Sequence, residues 1–124
     1  MEFNSQPCTS IKESKRLLAL GLKKETADCI HFYTKEKGWE IFVLEEGDTA
    51  KYVEGFEIPA WSLHRLLFLI PKEVNINGFT FFLRADVIMR LVDADFMYER
   101  LIEIIERLIK QGFINKNYLE DEIK

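Results

Sequence analysis

Few residues in this chain combine the types and spacing that chemistry requires. Cys29 and His31 lie two positions apart in a stretch rich in β-branched and aromatic residues, so on a strand their side chains would share a face. Such a pair could bind a metal or act as a thiol–imidazole nucleophile. A zinc site commonly takes about four ligands, whereas the chain has two Cys and two His, and Cys8 lies in a segment predicted to be loose. We therefore interpret both residues as ordinary strand side chains and predict no metal, no cofactor and no catalytic residue.

A second polar pair, Ser62 and His64, directly follows Trp61. Residues two apart on a helix do not face each other, so this pair does not suit a nucleophile and its base. Ser62 is predicted to cap a helix, with Trp61 packing as the apolar residue before the cap. The alternative is an enzyme or small-ligand binder whose pocket, between the sheet and this helix, is lined by Trp61 and His64. Motifs for phosphate, dinucleotide, zinc-hydrolase and serine-hydrolase sites are absent from the sequence.

The strongest local bias in charge lies in residues 39–60, which carry one basic and six acidic residues, a net charge of −5. Aromatic residues are interleaved with these carboxylates. Such a surface could dock on a basic protein partner, because charge steers the encounter and aromatic side chains anchor it. The alternative is a solvated loop and a strand edge guarded by charge. The predicted partner surface, named the acidic–aromatic surface, consists of Trp39, Glu40, Glu45, Glu46, Asp48, Tyr52, Glu54 and Phe56.

The elements that must position these residues follow from capping, turn and periodicity signals. The pattern predicts a first helix that opens with a capping box at Ser10 and stops at Gly21. In chain order it then predicts strands at 29–34 and 39–44, an extended segment at 52–58, a helix at 62–70, a hairpin around Asn77–Gly78 whose second strand runs to Arg84, a further strand at 87–92, and a helix at 96–111 capped by Asp93 or Asp95.

This order predicts an α+β fold, because short links between strands favour antiparallel pairing and the helices are segregated from the strands. We expect an antiparallel sheet of about five strands in two hairpin or meander units, with three helices and the long C-terminal helix packed on the sheet. The 124 residues fit one domain, 1–124, with residues 1–9 and 116–124 as loose ends.

Composition narrows the function classes. The net charge of −4 argues against nucleic acid as a partner, although a nucleic-acid-binding role through the basic residues of the first helix is kept as an alternative: Lys12, Lys15, Arg16, Lys23 and Lys24. No apolar run approaches the length that spans a bilayer, and no signal peptide is recognisable, so we expect no membrane partner. Two cysteines are too few for a disulfide framework, which favours a cytoplasmic protein with reduced thiols.

Two stretches of the sequence look familiar together: residues 14–28, SKRLLALGLKKETAD, and residues 58–63, IPAWSL, followed by Leu66–Leu67. With the final amphipathic helix and Gly112-Phe113-Ile114, they resemble an uncharacterised family of short proteins from Bacteroides-type bacteria that are linked to phage-like or other mobile elements. The resemblance implies an accessory or interaction role and carries over no catalytic residue. The leading hypothesis is therefore a small non-enzymatic protein with a protein partner or a homodimeric state.

Overall fold

The computed structural model describes residues 6–91 and 96–120 of the chain and shows an α+β fold with two antiparallel sheets. The helices and strands, in chain order, are α1 (Ile11–Ala19), β1 (Cys29–Thr34), β2 (Gly38–Val43), β3 (Glu57–Ala60), α2 (Leu63–Leu69), β4 (Val74–Ile76), β5 (Phe79–Phe81), α3 (Leu83–Leu91) and α4 (Met97–Gln111). Short 3₁₀ turns lie at Lys24–Thr26 and Lys116–Tyr118. Within these ranges, no helix has the length and apolar character needed to cross a membrane.

The larger sheet has three strands in the order β2-β1-β3, with both neighbours antiparallel to β1. The predicted strand at 29–34 is found with the same bounds, and β2 begins one residue before its prediction. The extended segment expected at 52–58 is corrected, because regular pairing begins only at Glu57 and continues through Pro59 to Ala60. Proline fits there because β3 is an edge strand, where an N–H can be absent without breaking the ladder.

The smaller sheet is the hairpin of β4 and β5, predicted from the Asn77-Gly78 dipeptide. Asn77 has φ 54° and Gly78 has φ 84°. Positive φ at both central residues is what a type I′ turn requires. The hairpin is therefore confirmed, but it forms a separate two-stranded sheet rather than part of a five-stranded one.

The strand predicted at 87–92, and the continuation of the preceding strand to Arg84, are wrong. Residues Leu83–Leu91 form the helix α3, which makes a fourth α-helix in the described residues. Its buried residues, Val87 and Leu91, are four positions apart and so share a helical face. The β-branched residues of this stretch are typical of a strand. Its buried apolar residues, however, are spaced as on one face of a helix.

The start of α1 and the end of α4 are formed by the residues that the sequence predicts. Ser10 and Glu13 form the capping box at the start of α1, and Gly112 stops α4 in the left-handed conformation. Asp93 and Asp95, expected to cap α4, lie outside the described residues. Among the helices, α4 packs closest to α1 and α3, and its buried residues share one core with Trp61 and with Ile30 of β1.

Both predicted loose ends are packed over the part that the structure describes. Cys8 and Thr9 are buried, and the Thr9 amide donates to the Trp61 carbonyl at 2.9 Å. At the other end, Leu119 bridges Leu22, and the Glu120 amide donates to the Gly21 carbonyl at 2.7 Å. Segments 6–9 and 116–120 thus belong to the folded body.

Candidate functional site

The sheet topology divides the acidic–aromatic surface between two places. Trp39 and Glu40 lie on β2, and the exposed Glu45, Glu46 and Asp48 lie in the loop that follows it. The exposed residues Tyr52, Glu54 and Phe56 lie beside β3, at the opposite edge, with β1 in between. The sequence grouped these residues because they are close along the chain, but the structure brings together only those on β2 and its loop.

The outer side of β2 carries backbone groups without partners among the described residues. The Tyr33 amide donates to the Phe56 carbonyl on the β3 side. Because backbone groups alternate in direction along a strand, the odd-numbered residues of β1 face β3, and the even-numbered residues face β2. The β1–β2 register then places the amides and carbonyls of Trp39, Ile41 and Val43 on the side away from β1. We call these outward groups the free edge of β2.

The side chains along the free edge are apolar and exposed. Trp39 is 42% exposed, Ile41 43% and Val43 76%. Their side chains lie on one face of the sheet. Each is next to its partner on β1, which is Tyr33, His31 and Cys29, respectively. The Trp39 ring is held by the Tyr33 ring, with centroids 5.4 Å apart. Natural edge strands are usually guarded by charge, proline or a covering element. Residues 6–91 and 96–120 place none of these guards on this face of β2.

Charges of opposite sign lie at the two ends of β2. The turn that precedes the strand carries the exposed Lys35 and Lys37, and it closes with Gly38 at φ 72°, a conformation that glycine adopts without strain. The Lys37 amide donates to the Thr34 hydroxyl at 3.2 Å and fixes this turn. The exposed carboxylates of Glu45 and Glu46 follow the other end. An apolar strip thus lies between a basic end and an acidic end.

The opposite edge of the sheet, on β3, is closed. The Glu57 amide and carbonyl, which face away from β1, both bond to Val53 at 2.9 Å. Pro59, the next residue with this orientation, has no N–H. A carboxylate oxygen of Glu57 also accepts from the Lys51 amide at 2.7 Å. The chain that leads into β3 therefore folds back along it and occupies the positions that a further strand would need.

Side-chain bonds hold the residues beside β3 in place. The Glu54 carboxylate pairs with the Lys15 ammonium of α1 and accepts from the Tyr52 hydroxyl at 2.7 Å. Both contacts lower the pKa of Glu54, the Lys15 contact most. Two of the eight residues of the predicted surface, Tyr52 and Glu54, thus already bond within the molecule through their side chains, which reduces their capacity to bind a partner.

The side chains of Trp39 and Ile41 lie on the same face of the sheet as Cys29 and His31 of β1. Over β1 and β3, this face is covered by the segment before α1. Cys8 packs against Cys29 and Ala60 in a buried cluster. His31 is buried beside it, with Nε2 donating to the Thr9 carbonyl at 2.7 Å and lying 3.9 Å from the Cys8 sulfur. One face of the sheet is therefore covered over β3 and bare over β2.

The two thiols are free, buried and close together. The adjacent Cys29 thiol lowers the pKa of Cys8. This contact, together with burial, raises the pKa of Cys29 above its usual value. Over residues 6–91 and 96–120, no group of three or more His, Cys, Asp or Glu is arranged to hold a metal ion. The sequence missed this cluster because it placed Cys8 in a loose segment.

The residues of the predicted pocket do not converge on a cavity. Trp61 has no exposed surface, and its indole Nε1 donates to the Thr26 hydroxyl at 2.9 Å. Ser62 caps α2 as predicted and donates to Asp28 at 2.6 Å. The exposed His64 ring rests on Phe68, 4.8 Å between centroids. Trp61 thus acts as a core residue that joins α2 to the turn before β1.

An apolar cleft lies elsewhere, between the β4–β5 hairpin, α3 and the end of α4. Its volume is about 530 Å³, and the Asp86–Arg90 ion pair lies in its wall with an N–O distance of 3.0 Å. The cleft is open to solvent, and its apolar lining consists of Val74, Ile76, Phe81, Phe82, Leu83, Leu108 and Phe113. This cleft was not predicted, because residues 87–92 were expected to form a strand and not part of the helix that lines it.

The basic residues considered for nucleic acid are partly engaged within the molecule. Lys15 pairs with Glu54, and Arg16 lies 3.7 Å from Glu106 of α4. Lys12 is exposed, whereas Lys23 and Lys24 are half-buried after the helix. Two of the five cations therefore face carboxylates rather than solvent alone.

No protein-family model, curated protein or solved structure matches this chain. The resemblance to short Bacteroides-type proteins therefore stays a prediction.

Proposed function

We propose that this chain is a small non-enzymatic interaction protein that binds an extended protein segment along the free edge of β2. The observation that supports the proposal is the contrast between the outward backbone groups of β2, which have no partner in the described residues, and those of β3, which Val53 and Pro59 occupy or remove. A segment added to a free edge gains main-chain hydrogen bonds, and its alternate side chains give specificity.

The chemistry around β2 defines the segment that it suits. The exposed side chains of Trp39, Ile41 and Val43 favour apolar residues at alternate positions of the bound segment. The carboxylates of Glu45, Glu46 and Asp48 favour Lys or Arg at the end of the segment that lies beside the loop. The proposed partner is thus a protein strand with alternating apolar residues and one basic end. The family resemblance adds to this proposal an accessory role on a mobile element.

Selection from displayed random peptides of about twelve residues tests the proposal, with the full chain immobilised as bait. Selected peptides are expected to show the apolar alternation and the basic end. The variant Ile41→Pro removes an outward amide without removing a bond to β1, so it should weaken their binding by tenfold or more. Thr49→Pro, in the exposed loop, is the matched control and should leave binding unchanged. Peptides that bind Ile41→Pro as well as wild type would refute the proposal.

A charge test checks the acidic loop separately. Reversing Glu45, Glu46 and Asp48 to Lys should weaken binding of basic-ended peptides and remove its dependence on salt, because the steering carboxylates are gone. Reversing three exposed carboxylates elsewhere, Glu25, Glu73 and Glu99, makes the same change in net charge. This control should retain binding to within about threefold. Equal losses in both variants would show that only net charge matters.

A further inference from the structure

We infer that the segment bound at β2 is the β2 strand of a second copy of this chain, which joins two three-stranded sheets into one of six strands. The inference rests on the proposed function and names its partner. It is supported by the match between the chemistry that β2 selects and the chemistry that β2 itself presents.

The backbone pattern allows this pairing in one favoured register. Only the odd-numbered residues of β2 point outward, so a symmetric antiparallel pair must place odd residues opposite odd residues. Centring the pair on Ile41 sets Ile41 opposite its own copy and Trp39 opposite Val43 of the second copy. This register uses all three outward residues of each strand, whereas a shift by two residues in either direction loses one of the three pairs.

The same register sets one pair of unlike charges at each end of the apolar row. Continuing the antiparallel count beyond the strands sets Lys37 of one copy opposite Glu45 of the other, and the two-fold axis repeats this pair. Within the strands, Glu40 lies opposite Phe42 of the other copy, so no like charges oppose each other there. Beyond the strands, Glu36 lies opposite Glu46 of the second copy, which is a like-charged pair. Because side chains alternate between faces, the Lys37–Glu45 pairs share the face of Trp39, Ile41 and Val43, and the Glu36–Glu46 pairs lie on the other face.

The apolar face also becomes continuous in this arrangement. The exposed side chains of Trp39, Ile41 and Val43 from both copies form one row, since partners across an antiparallel pair point to the same face. The Tyr33 ring, already against Trp39, extends the row at each end. The flanks of these exposed side chains then contact each other across the interface, which removes part of their apolar surface from solvent.

Sedimentation equilibrium of the full chain over a range of concentrations tests the inference. A species of twice 14.7 kDa is expected. Lys37→Glu and Glu45→Lys should each raise the dissociation constant on the order of tenfold, because each sets like charges opposite each other twice. The double variant, Lys37→Glu with Glu45→Lys, should restore association to within about threefold of wild type. Lys12→Glu, on exposed α1 surface, is the control and should have no effect.

Rescue by the double variant distinguishes self-pairing from any other dimer, because it depends on these two residues meeting across copies. A dimer indifferent to Ile41→Pro and to both charge reversals would use another surface and would overturn the inference. A monomer that still binds displayed peptides in an Ile41-dependent manner would overturn the inference and leave the proposed function standing. A monomer that binds no peptide would refute both.

Discussion

The two edges of the three-stranded sheet differ in what the neighbouring sequence does with them. Next to β3, Val53 bonds twice to Glu57, and Pro59 removes the following outward amide. Next to β2, no neighbouring segment of the described residues bonds to the outward groups from Trp39 to Val43. A few residues are enough to close an edge, and this chain places them on one side only. The β2 side is therefore the edge at which a further strand could add.

The two tryptophans give the largest expected difference between the sides. Trp61 has no exposed surface in the core beneath α2, whereas Trp39 is 42% exposed beside the free edge. Trp61→Ala should lower the free energy of unfolding by about 3–5 kcal/mol, the range for buried aromatic truncations. Trp39→Ala should cost the isolated chain less than about 1 kcal/mol. Urea denaturation at a concentration where the chain is monomeric measures both values.

The outcome would also separate two interpretations of Trp39. If Trp39→Ala were as destabilising as Trp61→Ala, the Trp39 ring would belong to the core of the monomer. Its exposure would then carry no argument for a partner, and the contrast between the edges would be lost.

The same substitution at both edges gives an intermediate effect. Val53→Pro removes the amide that donates to the Glu57 carbonyl and should cost about 1–2 kcal/mol, the value of a hydrogen bond and its unpaired acceptor. Ile41→Pro removes an amide with no partner in the described residues, so the loss of stability in the monomer should be smaller. Thermal unfolding of the two variants at equal dilution measures the difference. A larger loss for Ile41→Pro would mean that the free edge is already paired.

The smallest effect concerns the segment that covers the β3 side. The Tyr98 hydroxyl donates to the Gln6 carbonyl at 3.1 Å, and burial raises the pKa of Tyr98 to about 12. Because the folded pKa lies above the ordinary value near 10, the neutral hydroxyl stabilises the fold fully below about pH 10. This contribution should disappear as the pH rises toward 12. Stability measured by urea between pH 9 and 12 should decline more steeply for wild type than for Tyr98→Phe, and parallel curves would contradict this role for Tyr98.

Local signals explain why much of the fold was predictable from the sequence. The capping box at Ser10, the strand at Cys29–Thr34 and the turn at Asn77–Gly78 each depend on residues within a few positions, and all three are found. The prediction of a strand at 87–92 was wrong. It followed from the β-branched Val87 and Ile88, whereas a helix buries Val87 and Leu91 on one face.

The candidate site was predictable only in part, because it depends on strand order. The sequence indicated the acidic, aromatic residues from Trp39 onward, but not that β1 separates β2 from Tyr52 and Phe56. Closure of the β3 edge by Val53 required knowing where the regular strand begins. The packing of Cys8 on Cys29 likewise joins positions far apart in the chain, and neither residue carries a local signal for it.

The two buried thiols, Cys8 and Cys29, also allow the opening of the segment that covers them to be measured. Alkylating reagents reach Cys8 and Cys29 when segment 6–9 lifts from β1 or when the whole chain unfolds, so the labelling rate compared with the unfolding rate reports whether the segment opens alone. If labelling were much faster than global unfolding, the segment would detach as an independent unit while the sheet stayed intact. If the two rates coincided, the segment and the sheet would open together, and the cover over the β3 side would be as durable as the fold itself.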